Sequence, residues 1–371
     1  MHIGLDGIPL AQPRTGIGTY TFELARALAA TAPQDEYELI STLPFEESVS
    51  AVTRPANLKL VRSRPQANRL WWTLGLPSYL RRNALDLFHG TNYEVPVRSH
   101  CPTIVTIHDL SLLLHKETRE ARAVARGRLL MPVMVRKSRV IITPSELVKN
   151  EVCDYLKIKS EKVFAIPLAP RSTFTPMPSC ETLETRRRLR VEDEFLLFVG
   201  TIEPRKNLLT LVRALEELVL TSDLRPHLVV AGRRGWKSEG ILSLLKRSPA
   251  RNFVHLVGFL SDEDLRALYS CCRVFVYPSI YEGFGLPPLE AMACGAPVIA
   301  SRVPSVREDV ARIVSAADFR ELAQVIARLL TDRQARQSLS VRGREYARSF
   351  SWERTAALTH QVYAQAVQGD A

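Results

Sequence analysis

Short apolar runs, often rich in β-branched residues, recur along the whole chain, with helical patterns between many of them. In the first half they are HIGLD, YELIST, LDLFHG, TIVTIHD, RVIITPS and VFAIPLA, and the series restarts as FLLFVG, HLVVAG, FVHLVG, VFVYPS and PVIAS. Apolar runs of strand length separated by amphipathic segments such as LLTLVRALEELVL predict βα units and parallel sheets covered on both faces. Two series predict two sheets, as does a length of 371 residues, too great for one ordinary core. Between them PLAPRSTFTPMPSC holds four prolines and little apolar period, the composition of a linker. The expected class is α/β, with two doubly wound, Rossmann-like domains, 1–175 and 176–348, facing a central cleft. A closing helix over 349–371 is expected to pack back on the first. Ligands of such sheets bind beyond the carboxyl ends of the strands.

Composition narrows the function. At 46% hydrophobic and 24% charged residues the chain is globular, and no apolar run reaches the length that crosses a bilayer. MHIGLDGIPL lacks the basic and apolar regions of a signal peptide, so the expected location is the cytoplasm. The six cysteines, at 101, 153, 180, 271, 272 and 294, show neither a C-x-x-C pair nor a zinc spacing and are expected to be reduced. A net charge of +11 calls for an anionic partner. The first 176 residues carry most of the excess, 23 basic against 16 acidic. From Ser48 to Leu85 there is no acid, while Arg54, Lys59, Arg62, Arg64, Arg69, Arg81 and Arg82 interleave with Trp71, Trp72 and Tyr79.

The loops at the strand ends carry the chemistry. After IGLDG, Gly16 and Gly18 open an amphipathic helix, which serves either as a tight turn alone or as an anion site at a helix N-terminus. FVGTIEPRKNLL puts Arg205 and Lys206 between a strand and a helix, where adjacent cations suit a diphosphate. Asp262, Glu263 and Asp264 resemble an Asp-x-Asp metal motif, but helix capping by Ser261 with acids in the first turn explains them better. In YEGFGLPPLEAMACGAPVIAS, Glu282 and Glu290 flank a Gly283-Phe284-Gly285-Leu286 turn and a helix that begins near Pro287. Amides and cations in the middle with a carboxylate at each end match a sugar nucleotide group by group: sugar hydroxyls, diphosphate, ribose hydroxyls.

These residues, with GIGTYTFELARAL, FHGTNYEVP, TIVTIHDL, VGTIEPRKN, AGRRGW and FSWERTA, resemble the retaining glycosyltransferases of the GT-B fold, family four, across nearly the whole chain. Their signature is Glu, seven residues, Glu. The resemblance implies that Glu282 contacts the donor sugar and Glu290 the ribose, that Arg205 and Lys206 hold the diphosphate, and that the backbone near Phe259 and Leu260 meets the base. It also implies a phosphate contact at Gly16 to Gly18 and an acceptor-side role for His108, which otherwise reads as a hydrogen-bonded core histidine. Asn92 and Tyr93 read as acceptor-side or structural. VPSVREDVARIVSAAD departs from the family pattern in lacking a glycine.

Fixed cations and helix-end amides can stabilise the leaving diphosphate, so the expected reaction is metal-independent, with no bound cofactor. The PRKN and RGW contexts point to mannosyl- and rhamnosyltransferases of O-antigen, capsule and exopolysaccharide assembly, with GDP-mannose or a related GDP-sugar as donor. A UDP-sugar is the second expectation and a sugar-nucleotide epimerase a third. A nucleic-acid partner accounts for the charge but not for the glutamates. The expected acceptor is a glycan, lipid-linked at the inner face of the cytoplasmic membrane. The basic aromatic stretch and the Arg-rich segment from Lys116 to Arg139 would then meet anionic head groups, with Trp71, Trp72, Leu74 and Leu76 divided between core and lipid.

Overall fold

The structure, a computed structural model, describes residues 1–13, 16–63 and 70–369. Arg64 and Arg69 of the basic stretch lie outside the described residues. The chain forms two compact units, one of residues 1–114, 121–169 and 350–371, the other of 115–120 and 170–349.

The first unit is built on seven parallel strands: β1 (His2–Asp6), β2 (Glu36–Ser41), β3 (Leu58–Arg62), β4 (Leu87–Gly90), β5 (Thr103–Thr106), β6 (Val140–Thr143) and β7 (Val163–Ala165), in the order β3-β2-β1-β4-β5-β6-β7. Six of these were legible as apolar runs. β3 hides in the basic stretch because it is an edge strand with charge on it: Lys59 pairs with Glu36 at 2.9 Å and Arg62 is exposed. The core forms on both faces of the sheet. Val105, Ile107 and Ile141 pack with Met131, Met134 and Val135 of the helix Ala121–Lys137, while Ile40 and Phe88 pack with Trp71, Leu76 and Leu80. Trp71 and Leu76 are therefore core, whereas Leu74 is 63% exposed. The helix Trp352–Gln368 lies against the helix Gly16–Thr31, and its buried Tyr363 hydroxyl meets His89 Nδ1 at 2.6 Å.

The second unit holds β8 (Phe195–Val199), β9 (His227–Ala231), β10 (Val254–Gly258), β11 (Val274–Tyr277), β12 (Val298–Ala300) and β13 (Arg312–Ile313), all parallel, in the order β10-β9-β8-β11-β12-β13. The two-residue β13 is too short to leave an apolar run. The helix Leu208–Thr221 buries Leu208, Leu211, Val212, Leu215 and Leu218, a stripe at helical spacing, against Leu196, Phe198 and Val230 of the sheet.

The division between the units falls at 169/170 rather than near Thr175. The proline-rich stretch is not a free tether. Arg266 donates to the Thr175 carbonyl at 2.8 Å and to its hydroxyl at 2.9 Å, and Met177 N–H donates to Ser270 Oγ at 3.1 Å. Side chains of the second unit satisfy backbone groups there that water would meet in a free linker.

Candidate functional site

A doubly wound sheet opens a crevice where its strand order reverses. In the second unit that point lies between β8 and β11, and the loops after these two strands carry EPRKN and YEGFG. Asn207 ties them together. Held in the left-handed region at φ 59°, which Asn tolerates, it ends the turn Pro204–Lys206, and its amide donates to Pro278 O at 2.9 Å and Ala316 O at 2.7 Å. Ile280 N–H adds a bond to Arg205 O at 2.9 Å.

That bracing brings three predicted residues together. Glu282 accepts from Lys206 Nζ at 2.7 Å and forms an ion pair with Arg205 Nη1 at 2.8 Å, so each carboxylate oxygen holds one cation. Lys206 also donates to Tyr277 Oη at 2.7 Å, and Arg205 to Tyr281 O at 2.8 Å and Glu203 Oε1 at 3.0 Å. The Lys206 and Glu282 side chains are only 11% and 10% exposed, so the charges interact in a poorly solvated place. Burial pushes the Glu282 carboxyl up, but Arg205 and Lys206 outweigh it and hold it down at about 2. Burial pulls Lys206 below the usual ammonium range, with Glu282 opposing. Glu203, adjacent to the predicted pair but not singled out from sequence, extends the alternation of charge to Arg119, 3.7 Å away, in the 115–120 segment.

The helix Leu286–Ala293 begins at Gly285, whose φ of +98° suits glycine, and it has prolines in its first turn. The departing segment VPSVRED braces this turn: Ser305 N–H donates to Phe284 O at 2.9 Å and Ser305 Oγ to Gly285 O at 2.6 Å. Glu290, one turn into the helix, is buried and paired with Arg171 Nε at 2.9 Å. Nothing in the sequence pointed to Arg171, which is 119 positions away. Phe259 and Leu260 follow the edge strand β10; Phe259 is exposed and Arg233 lies 4.2 Å over its ring. Ser261 caps the following helix by accepting from Asp264 N–H, and Asp262 and Asp264 pair with Arg171 and Arg188. Among the described residues no three His, Cys, Asp or Glu side chains gather as metal ligands.

In the first unit the order reverses between β1 and β4. Gly16 starts the helix after β1, with open space where a Cβ would stand, and Gly18 is buried in its first turn. His108, just beyond β5, donates from Nε2 to Thr91 O at 2.8 Å, with the rings of Tyr20 and Tyr93 at 4.8 and 5.7 Å. Burial pushes it below the ordinary imidazole range, although the Thr91 carbonyl and Asp109 pull the other way. A neutral ring with its proton on Nε2 presents Nδ1 as an acceptor. Tyr93 adopts φ +61°, uncommon outside glycine, and its hydroxyl accepts from Asp109 N–H at 3.1 Å. His89 is a structural histidine, bonded by both nitrogens and depressed to about 3 by burial and by His108. Asp6, buried at the end of β1, has its carboxyl raised to about 7 by burial. Sequence reading missed it because only the fold shows that its strand end is closed.

Family models match both halves of the chain: Glycosyltransferase Family 4 over residues 14–169 and Glycosyl transferases group 1 over 181–346. The chain is 30% identical over 371 residues to an O-antigen chain mannosyltransferase B of Escherichia coli, covering 96% of this chain and 97% of that one. It is 28% identical to the MMP alpha-(1->4)-mannosyltransferase of Mycolicibacterium hassiacum, covering 95% of each. Among solved structures it is similar to a sucrose-phosphate synthase from Thermosynechococcus elongatus, with TM-score 0.79 and 22% identity over 99% of both chains. WaaG, a glycosyltransferase involved in lipopolysaccharide biosynthesis, gives 0.75 and 15% over 98% of this chain and 99% of its own.

Proposed function

The chain belongs to the family-four, group 1 glycosyltransferases, and from that premise we propose that it transfers a mannose or rhamnose-type hexose from a GDP-sugar to a glycan, with retained anomeric configuration. The observation that carries this reading is the buried Arg205–Glu282–Lys206 cluster at the switch point of the second sheet. The donor diphosphate takes over the two cations and frees the Glu282 carboxylate to accept from sugar hydroxyls, while Glu290 accepts from the ribose and the backbone near Phe259 and Leu260 meets the base. The helix N-terminus after the Gly283–Leu286 turn offers amides to the same phosphates.

The chemistry follows from where charge develops. As the bond from C1 to the phosphate oxygen breaks, its electron pair goes to the nucleoside diphosphate, which Arg205 and Lys206 stabilise in place of a metal ion. The acceptor oxygen attacks C1 from the face the diphosphate leaves and gives its proton to a phosphate oxygen, with His108 on the acceptor side. Mannose is supported by the mannosyltransferase names of the two relatives. The O-antigen relative supports a glycan acceptor; a lipid link at the inner face of the cytoplasmic membrane is part of the proposal. Incubation with GDP-mannose and separately with UDP-glucose, with and without EDTA, tests the reading. GDP release that survives EDTA is expected; UDP release alone moves the donor to the UDP series, and activity that needs added Mg²⁺ contradicts charge stabilisation by the two side chains.

A further inference from the structure

Arg171 joins two acids that are far apart in sequence. Its Nε donates to Glu290 Oε1 at 2.9 Å and its Nη1 to Asp262 Oδ1, and its guanidinium lies 4.3 Å from the centroid of the Phe174 ring, which packs edge-on against buried Tyr269. The Arg171 side chain is 13% exposed and that of Glu290 3%. Among the described residues Glu290 Oε2 has no hydrogen-bond partner, so the arginine fixes one oxygen and leaves the other for a ligand. Asp262 starts the helix that follows Phe259 and Leu260. A planar guanidinium with separate donors sets the angle between two carboxylates, which a lysine ammonium on a flexible stem cannot do. If the aim were stability alone, apolar side chains of similar volume would serve as well as buried ions.

We propose that Arg171 is a positioning residue for the nucleoside end of the donor site: its guanidinium sets the Glu290 carboxylate for the ribose hydroxyls and ties it to the Asp262 start of the base-side helix. This rests on the reading of Glu290 as the ribose contact. Burial pulls the Arg171 guanidinium down, but Glu290 and Asp262 outweigh it and raise it above its ordinary range, so it stays charged.

The test compares GDP and UDP with their 2′,3′-dideoxy forms by calorimetric titration of the whole chain, in wild type, R171A and R171K. In wild type, losing hydroxyls that bond a carboxylate weakens binding about tenfold or more. In R171A that ratio falls to within about threefold, because an unset Glu290 no longer distinguishes the two forms, and R171K restores it only in part. A wild-type ratio retained in folded R171A overturns the proposal, as does an equal loss of affinity for both forms, the mark of a merely structural role. Should R171A fail to fold, R171K decides: a wild-type ratio there refutes the positioning role. Tight GDP or UDP binding with a wild-type ratio near one removes Glu290 as the ribose contact and this inference with it. No binding of either nucleotide contradicts the proposed function itself.

Discussion

Glu282 neutralises two cations in the ligand-free protein, so deleting it and neutralising it have different expected effects. Glu282→Ala and Lys206→Ala should each lower transfer at saturating donor by about 100-fold or more, with far-ultraviolet circular dichroism unchanged. Activity within threefold of wild type would remove that residue from the site. Glu282→Gln should also lose transfer yet bind GDP more tightly than wild type, because the diphosphate no longer displaces a carboxylate; weaker binding would show that Glu282 does not compete for Arg205 and Lys206. Asp6 supplies the pH dependence. Its carboxyl titrates at about 7 in the fold against an ordinary value of 3.8, so between those values the folded state holds the extra proton and stability falls as pH rises. The melting temperature of wild type relative to Asp6→Asn should therefore decline from pH 4 to pH 7 and level off above; a difference that does not change with pH would contradict a raised carboxyl. Glu282 and Glu290 were legible as residues because their spacing around a turn is local. Arg171 and Asp6 were not, since the partner of one and the closed environment of the other exist only after folding.

At the scale of elements, the turn before the helix Leu286–Ala293 and the start of the helix Gly16–Thr31 call on glycine for different reasons. At Gly285 the backbone is left-handed, and a Cβ would stand 2.9 Å from Ser305 Oγ and 3.1 Å from a Val303 methyl. Gly285→Ala should cost roughly 1–2 kcal/mol from the backbone alone and lower the melting temperature together with donor use. At Gly16 a Cβ meets nothing within 4 Å. Gly16→Ala should leave the melting temperature at or above wild type while raising the KM for donor, the pattern of a site where backbone approaches a ligand; an unchanged KM would leave Gly16 a plain helix start. The strands were legible wherever burial on both faces made an apolar run, as in FLLFV of β8 and VFVY of β11. β3 was not, because an edge strand keeps charges that a central strand excludes, and neither was the grouping of residues 115–120 with the second unit, which no local pattern marks.

The whole molecule carries a charge of +11, and among the described residues no helix is long and apolar enough to cross a membrane. On the helix Ala121–Lys137, Arg122, Arg126, Arg128 and Arg136 share the exposed surface with Leu129, which is 72% exposed, and Val133. Cations beside exposed apolar side chains suit an anionic lipid surface, at on the order of 1 kcal/mol per cation, and the attraction should weaken with salt. The protein is expected to sediment with anionic but not zwitterionic vesicles at low salt, and the triple replacement of Arg122, Arg126 and Arg128 by Ser should reduce this; equal binding to both vesicle types, or to neither, would favour a soluble acceptor. The central claim concerns the second sheet's switch point as the seat of a nucleotide-sugar diphosphate. A crystal structure with GDP bound tests it most directly: the account predicts phosphate oxygens on Arg205 and Lys206 and ribose hydroxyls on Glu290, and a diphosphate lodged away from both cations, with their pairs to Glu282 intact, would contradict it.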